Sequence, residues 1–120
     1  MGLTVLEVEI GNPSAPEVME KVEFLIDSGA IYSVVPSSIL HRLGIKPAKT
    51  IPIETIEGRI IKRRIGEAQI ECAGEAATRI VVFASKTDGQ VMGVDALEGL
   101  RLEMEPLKRR LKKTRAVLAL

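Results

Sequence analysis

The chain is poor in aromatic residues, with two phenylalanines, one tyrosine and no tryptophan among 120 residues. Its core must therefore be aliphatic, and the stacking platforms with which most single-strand nucleic-acid binders hold bases are missing. A single cysteine, Cys72, excludes an intramolecular disulfide. With one histidine, His41, beside that one cysteine, no metal-ligand spacing can be drawn and no metal is expected. No apolar run approaches the roughly 18 residues of a membrane span. No basic segment leads into an apolar core at the N-terminus, so no signal peptide is expected and the cytoplasm is the default compartment. The Gly-x-Ser-x-Gly elbow of serine hydrolases is also absent.

What is present suits one folded domain. Apolar residues make up 46% and charged residues 28%, which favours a packed core over disorder. The net charge of +1 hides an asymmetry. Residues 1–107 hold 11 of the 17 basic residues and all 16 acidic ones, a balance of −5, while Lys108, Arg109, Arg110, Lys112, Lys113 and Arg115 supply +6. A basic run at 108–115 could meet nucleic acid or an acidic lipid surface, keep an edge strand soluble, or pair with the acidic body of a second subunit. No aromatic residue is interleaved with these charges, which argues against nucleic acid.

Periodicity predicts short strands with little helix. Leu6, Val8 and Ile10 alternate with Glu7 and Glu9 as a first strand, and Gly11-Asn12-Pro13-Ser14 turns the chain. Ser33-Val34-Val35 is extended. Pro36 then opens a short helix with Ile39, Leu40 and Leu43 on one side, and Gly44 closes it. His41 lies in that helix and reads as a solvated helix residue, since no cysteine or serine motif accompanies it. From Ile51 to Cys72 the pattern is a long hairpin with Glu57-Gly58 at the bend, and Ala68, Ile70 and Cys72 share one face of its second arm. Cys72 there reads as a small core residue. Thr78 to Ala84 is a nearly continuous apolar strand, and Lys86 to Gly89 is a loop. After Val91-Met92-Gly93 a second short helix is expected, capped by Asp95 and ended by Gly99. Arg101–Glu105 and Arg109–Lys112 would add closing strands. Together these elements predict an all-β, small β-barrel-like domain with one or two short helices.

The stretch around which the others are arranged is Val22 to Ala30. Val22, Phe24 and Ile26 alternate with Glu23 and Leu25, and the strand ends on Asp27-Ser28-Gly29. A carboxylate delivered by a rigid strand into a tight turn is a well-placed acid or base. On the tripeptide alone, a plain strand end with an Asx-type turn is the commoner reading.

Four motifs in order resemble the retropepsin-like, or retroviral-type, aspartic proteases, in their cellular and prokaryotic single-domain branch. Phe24-Leu25-Ile26-Asp27-Ser28-Gly29-Ala30 is similar to the apolar-apolar-Asp-Thr/Ser-Gly-Ala signature, and Val35-Pro36 to the Val-Pro that follows it. The hairpin bent at Glu57-Gly58 stands where such proteases carry a flap. Val91-Met92-Gly93 is similar to the apolar-apolar-Gly beneath the active-site loop, and Gly93-Val94-Asp95-Ala96-Leu97 to Gly-x-Asp-x-Leu. The match spans roughly residues 3–112, so the domain is taken as 1–112, with 113–120 as a basic and apolar tail.

The resemblance implies a closed acid-protease barrel that forms one half of a two-fold symmetric dimer. The chain has one Asp-Ser/Thr-Gly, so each protomer would give one Asp27 to activate a water, with no cofactor and no metal. Ser28 would hydrogen-bond across the axis, Gly29 would let the backbone approach the two carboxylates, and Ala30 would leave room at the cleft floor. Thr55, Ile56, Glu57 and Gly58 would form the flap over a peptide or protein substrate, and Val91, Met92 and Gly93 would support the loop. One departure stands out: Ile31 occupies a position where relatives usually carry Ser or Asp. It favours the alternative of a weak or inactive dimerisation or peptide-binding module.

Overall fold

Strand alternation and turn residues set the local structure, which the computed structural model describes for residues 4–105 and 110–119. The described residues form β1 (Val5–Asn12), β2 (Ala15–Ile26), β3 (Ser33–Pro36), α1 (Ser37–Arg42), β4 (Lys49–Glu54) and β5 (Ile60–Cys72). They continue with β6 (Glu75–Ala84), β7 (Val91–Met92), α2 (Val94–Gly99), β8 (Leu102–Glu105) and β9 (Arg110–Lys113). The domain is all-β apart from two helices of six residues each.

Six strands close a ring. β1 pairs with β2, β2 with β7, β7 with β3, β3 with β6, β6 with β5, and β5 returns to β1 through Glu9–Gly11. The β2–β7 and β3–β6 pairings are parallel and the others antiparallel. Closure removes most open edges, and β4 remains outside the ring, paired only with β5. That edge strand carries Pro52 and Lys49, residues that discourage further strand pairing.

Inside the ring the core is aliphatic, as the composition requires. Val8, Ile10, Phe24, Val35, Leu40, Ile70, Val81 and Met92 belong to one buried cluster, which also takes in Leu97 and Leu100 of the α2 segment. Burying each large side chain contributes about 1.5–3 kcal/mol before the entropy of ordering is set against it. Cys72 belongs to this core, and burial pushes its thiol up, away from the reactive thiolate. In β6, Val81, Val82 and Phe83 are buried in succession, the mark of a strand covered on both faces.

Several local expectations change at the helices. Pro36 closes β3 and takes the N-cap position of α1, one residue ahead of the first helical position, while Gly44 ends that helix at φ +74. Asp95 does not cap α2. The cap position is Gly93, and the amides of Val94 and Asp95 are taken by the carbonyls of Ala30 and Ile31 at 2.8 and 2.9 Å. The Asp95 carboxylate is thus free to pair with Arg79 of β6, its Oδ2 3.0 Å from Nε. Gly99 is the last residue of the helix, as expected, with Leu100 at the C-cap and Arg101 in the left-handed turn at φ +56.

Beyond α2, β8 and β9 form a separate two-stranded sheet. Such a pair is marginal alone, and here Leu102 is buried and Leu111 packs against the core. Glu75, at the start of β6, ties the hairpin to the barrel by ion pairs with Arg101 and Lys113. Arg101, then Lys113, hold the Glu75 carboxyl below the usual carboxylate range. A carboxylate with a lowered folded value stabilises above its unfolded value of about 4.3 and loses that contribution as the pH falls through the folded value. Glu75→Gln is therefore expected to lower Tm near neutrality, with the gap to wild type closing below about pH 4. Thermal melts of both proteins from neutral to strongly acid pH read this directly, and a gap independent of pH would refute the charge-based tie.

Candidate active site

Asp27 is the first residue after β2, held by main-chain bonds on both sides. Leu25 and Ile26 run parallel to Val91 and Met92 of β7, and the Asp27 amide donates to the Met92 carbonyl at 3.1 Å. The carboxylate Oδ1 accepts the Gly29 amide at 2.9 Å, and the Ala30 amide closes onto the Asp27 carbonyl at 3.1 Å. The local geometry is the Asx-type turn that the tripeptide predicts. It also spends only one oxygen of the carboxylate. Among the described residues Oδ2 has no hydrogen bond and no ion pair includes Asp27, whose side chain is exposed together with Ser28 and Gly29.

The loop after Asp27 hangs from α2 by the Ala30 and Ile31 carbonyls. Gly93 makes that approach possible, because a Cβ there would lie 2.5 Å from the Ile31 carbonyl oxygen. Buried Ser33 completes the seam, its Oγ accepting the Gly93 amide at 3.1 Å. Sequence reasoning passed over Ser33, since one hydroxyl in a short apolar strand carries no local signal of its partner.

A cleft of about 440 Å³ opens beside Asp27. Gly29, Ala30 and Ile31 form one wall, and Thr55 and Ile56 with the end of β4 form the other. Glu57 and Gly58 stand at the bend and do not line it. The bend is ordered by its own bonds: Gly58 lies at φ +85, its amide donates to the Thr55 carbonyl at 2.9 Å, and the Thr55 amide donates to Arg59 at 2.8 Å. Val91, Met92 and Gly93 lie under the Asp27 loop, outside the cleft. Sequence reasoning missed Tyr32, Val34, Ile51, Ile53 and Val82, which make the cleft mostly apolar. Their alternation was readable, but which face of each strand meets a cleft depends on strands distant in the chain.

Two partly covered ion pairs tie neighbouring elements together. Arg79 and Asp95 join β6 to α2, and Asp95 raises the Arg79 guanidinium above its ordinary value. Arg63 of β5 grips Asp88 with two parallel hydrogen bonds of 2.7 and 2.9 Å, and this contact holds the Asp88 carboxyl below its usual range.

The basic run is largely neutralised where it is described. Arg110 faces Glu105 at 3.3 Å, Lys112 faces Glu103 at 3.4 Å and Lys113 faces Glu75 at 3.8 Å. Lys108 and Arg109 lie outside the described residues. Among the described residues no group of three or more His, Cys, Asp or Glu is placed to hold a metal ion. Among the described residues no helix is long and apolar enough to cross a membrane.

A strand ending in Asp-Ser-Gly beneath a hairpin, within a small closed barrel, is the arrangement that the resemblance to retropepsin-like aspartic proteases implies. Residues 19–99 match the family described as "gag-polyprotein putative aspartyl protease". The chain belongs to that family and is an aspartic-type peptidase of retropepsin-like fold. Among solved structures it resembles the simian foamy virus (mac) protease, at 24% identity and TM-score 0.55, over 78% of this chain and 91% of that one. It also resembles the EIAV protease in complex with an inhibitor, at 17% identity and TM-score 0.56, over 98% of this chain and 94% of that one. No curated protein matches the chain.

Proposed function

We propose that the protein is a homodimeric aspartic endopeptidase in which two Asp27 carboxylates, one from each protomer, activate a single water. The observation that carries this reading is the half-used, exposed carboxylate of Asp27 at the mouth of an apolar cleft. A single carboxylate cannot be ionised to take a proton from water and protonated to polarise the scissile carbonyl at the same moment. Two that face one water divide the tasks, one ionised as base and one protonated as acid, because like charges so close do not both ionise. The described residues hold one Asp-Ser-Gly, and Asp95, the other aspartate near the loop, is engaged by Arg79. A two-fold axis through the Asp27 loop supplies the second carboxylate.

In this arrangement Ser28 bonds across the axis and locks the two loops together. Gly29 and Ala30 keep the floor low enough for a substrate backbone, and the β4–β5 hairpin, with Thr55, Ile56, Glu57 and Gly58 at its end, closes over an extended peptide. Ile56, fully exposed at the tip, suits such a cover. The aliphatic lining favours apolar side chains next to the cleaved bond. Ile31, 69% exposed, gives the substrate backbone no side-chain hydrogen bond, so recognition falls to main-chain groups.

The test is hydrolysis of a mixed peptide library at acid to neutral pH over a dilution series of the protein. Specific activity should fall on dilution below the dimer dissociation constant. Adding inactive Asp27→Asn chain in excess should silence the wild type by forming mixed dimers. Specific activity unchanged by dilution and by the added variant would rule out the shared dyad. No hydrolysis by a protein shown to be dimeric would favour the peptide-binding module that Ile31 suggests.

A further inference from the structure

We infer that Arg63 and Asp88 are positioning residues that clamp the β4–β5 hairpin to the loop between β6 and β7, and so set how the hairpin stands over the Asp27 cleft. The inference rests on the peptide site proposed above and assigns the control of its cover to this pair.

The hairpin is free-standing in its outer half. β5 pairs with β6 from Ile65 to Cys72, whereas its residues from Ile60 to Arg64 pair only with β4. A two-stranded arm of this kind has little stability of its own and bends at its root. Arg63 lies two residues outside the last β5–β6 pair. Register places it opposite Ile51, on the strand face that also carries Ile53 and Ile61, and Ile51 and Ile53 are among the residues that line the cleft. A guanidinium in that apolar row needs a partner, and the partner is Asp88.

The contact is stronger than a surface ion pair. Both side chains are about four-fifths covered, at 21% and 20% exposure. The guanidinium donates to both Asp88 oxygens, to the Lys62 carbonyl at 2.9 Å and to Ser85 Oγ at 3.2 Å. Asp88 is itself fixed, its Oδ2 accepting the Ser85 amide at 2.9 Å and its amide donating to the Ser85 carbonyl at 3.1 Å. The loop it belongs to leads directly to Gln90. The Gln90 carbonyl accepts the Leu25 amide at 3.1 Å, and its side chain donates to the Glu23 carbonyl at 2.9 Å. Two residues later, Met92 holds the Asp27 amide. Hydrogen bonds joined by the short covalent stretch from Asp88 to Met92 therefore link the root of the hairpin to the strand that delivers Asp27. On the opposite face Arg64 lies over the Phe83 ring at 5.5 Å, a second contact at the same root.

The test compares wild type with Asp88→Asn, Arg63→Lys and the exchanged pair Arg63→Asp/Asp88→Arg. Asn keeps an acceptor for the Ser85 amide but loses the charge, and Lys keeps the charge but loses the two-pronged geometry. Hydrogen exchange in the free protein should accelerate by about tenfold or more across residues 49–64 in each single variant, and not in residues 65–83. The exchanged pair should recover part of the protection. With peptide substrate, KM should rise about tenfold while kcat changes less than about threefold, whereas a purely structural defect lowers kcat through the folded fraction. Should Arg63→Lys fail to fold, Asp88→Asn decides alone. Unchanged exchange in residues 49–64 overturns the clamp, and faster exchange with unchanged KM overturns its positioning role. Because exchange is read without substrate, a chain lacking peptidase activity still decides whether the clamp exists.

Discussion

Asp27→Asn is expected to reduce peptide hydrolysis by about a thousandfold or more, the scale of losing the acid–base group from such a site. The fold should survive the change. Asn has nearly the same shape, and its carbonyl oxygen can still accept the Gly29 amide, now 2.9 Å from Asp27 Oδ1, so the turn after β2 persists. The residue is exposed, and substitutions at such positions away from a buried network shift stability by no more than about 0.5 kcal/mol. Melting curves of the two proteins should therefore nearly coincide while one of them is inactive. Hydrolysis that persists in the purified variant would take the chemistry away from Asp27 altogether.

Gly93→Ala should be the most damaging single-methyl substitution near the site. Its φ of −91° is open to any residue, so the cost is spatial. The added carbon would lie 2.5 Å from the Ile31 carbonyl oxygen, 2.7 Å from its carbon and 2.8 Å from the Tyr32 carbonyl carbon. All three are backbone atoms and cannot rotate away. Relief requires α2 and the Asp27 loop to separate, which stretches the bonds from Val94 to Ala30, from Asp95 to Ile31 and from Gly93 to Ser33. Overpacking of this kind costs about 3 kcal/mol or more, which lowers Tm by about 10 °C in a domain of this size. Activity at a temperature where the variant is still folded should fall further than the melting curve explains, because the displaced loop carries Asp27. A variant with wild-type Tm and wild-type turnover would show that α2 does not support the loop.

Much of this architecture is legible along the chain, and the reasons are local. Val22, Phe24 and Ile26 announce a strand by alternation, Gly58 announces the bend of a hairpin, and Gly44 announces a helix end. The helix α2 shows where local reading fails. Asp95 with Glu98 three residues on is a good capping pattern, yet its amide is taken by Ile31 and its carboxylate by Arg79, 16 residues earlier. A capping preference worth about 1 kcal/mol yields when a tertiary partner offers both a hydrogen bond and an opposite charge. The basic run behaves likewise. Read in the chain it is a surplus of positive charge, but the β8–β9 register brings Glu103 opposite Lys112 and Glu105 opposite Arg110.

By itself the sequence determined that an aliphatic, strand-rich domain would present one Asp-Ser-Gly at a strand end, with a long hairpin downstream. Those features depend on the spacing of neighbouring residues, and such spacing is written in the chain. Only the tertiary structure decided what surrounds the carboxylate: the Met92 carbonyl on its amide, the α2 amides on its loop, and the aliphatic faces of β3, β4 and β6 turned to one cleft. It alone joined Arg63 to Asp88, 25 residues apart. Closure of the barrel selects these partners, because ring pairing fixes which face of each strand is buried and which distant side chains are brought within hydrogen-bonding reach.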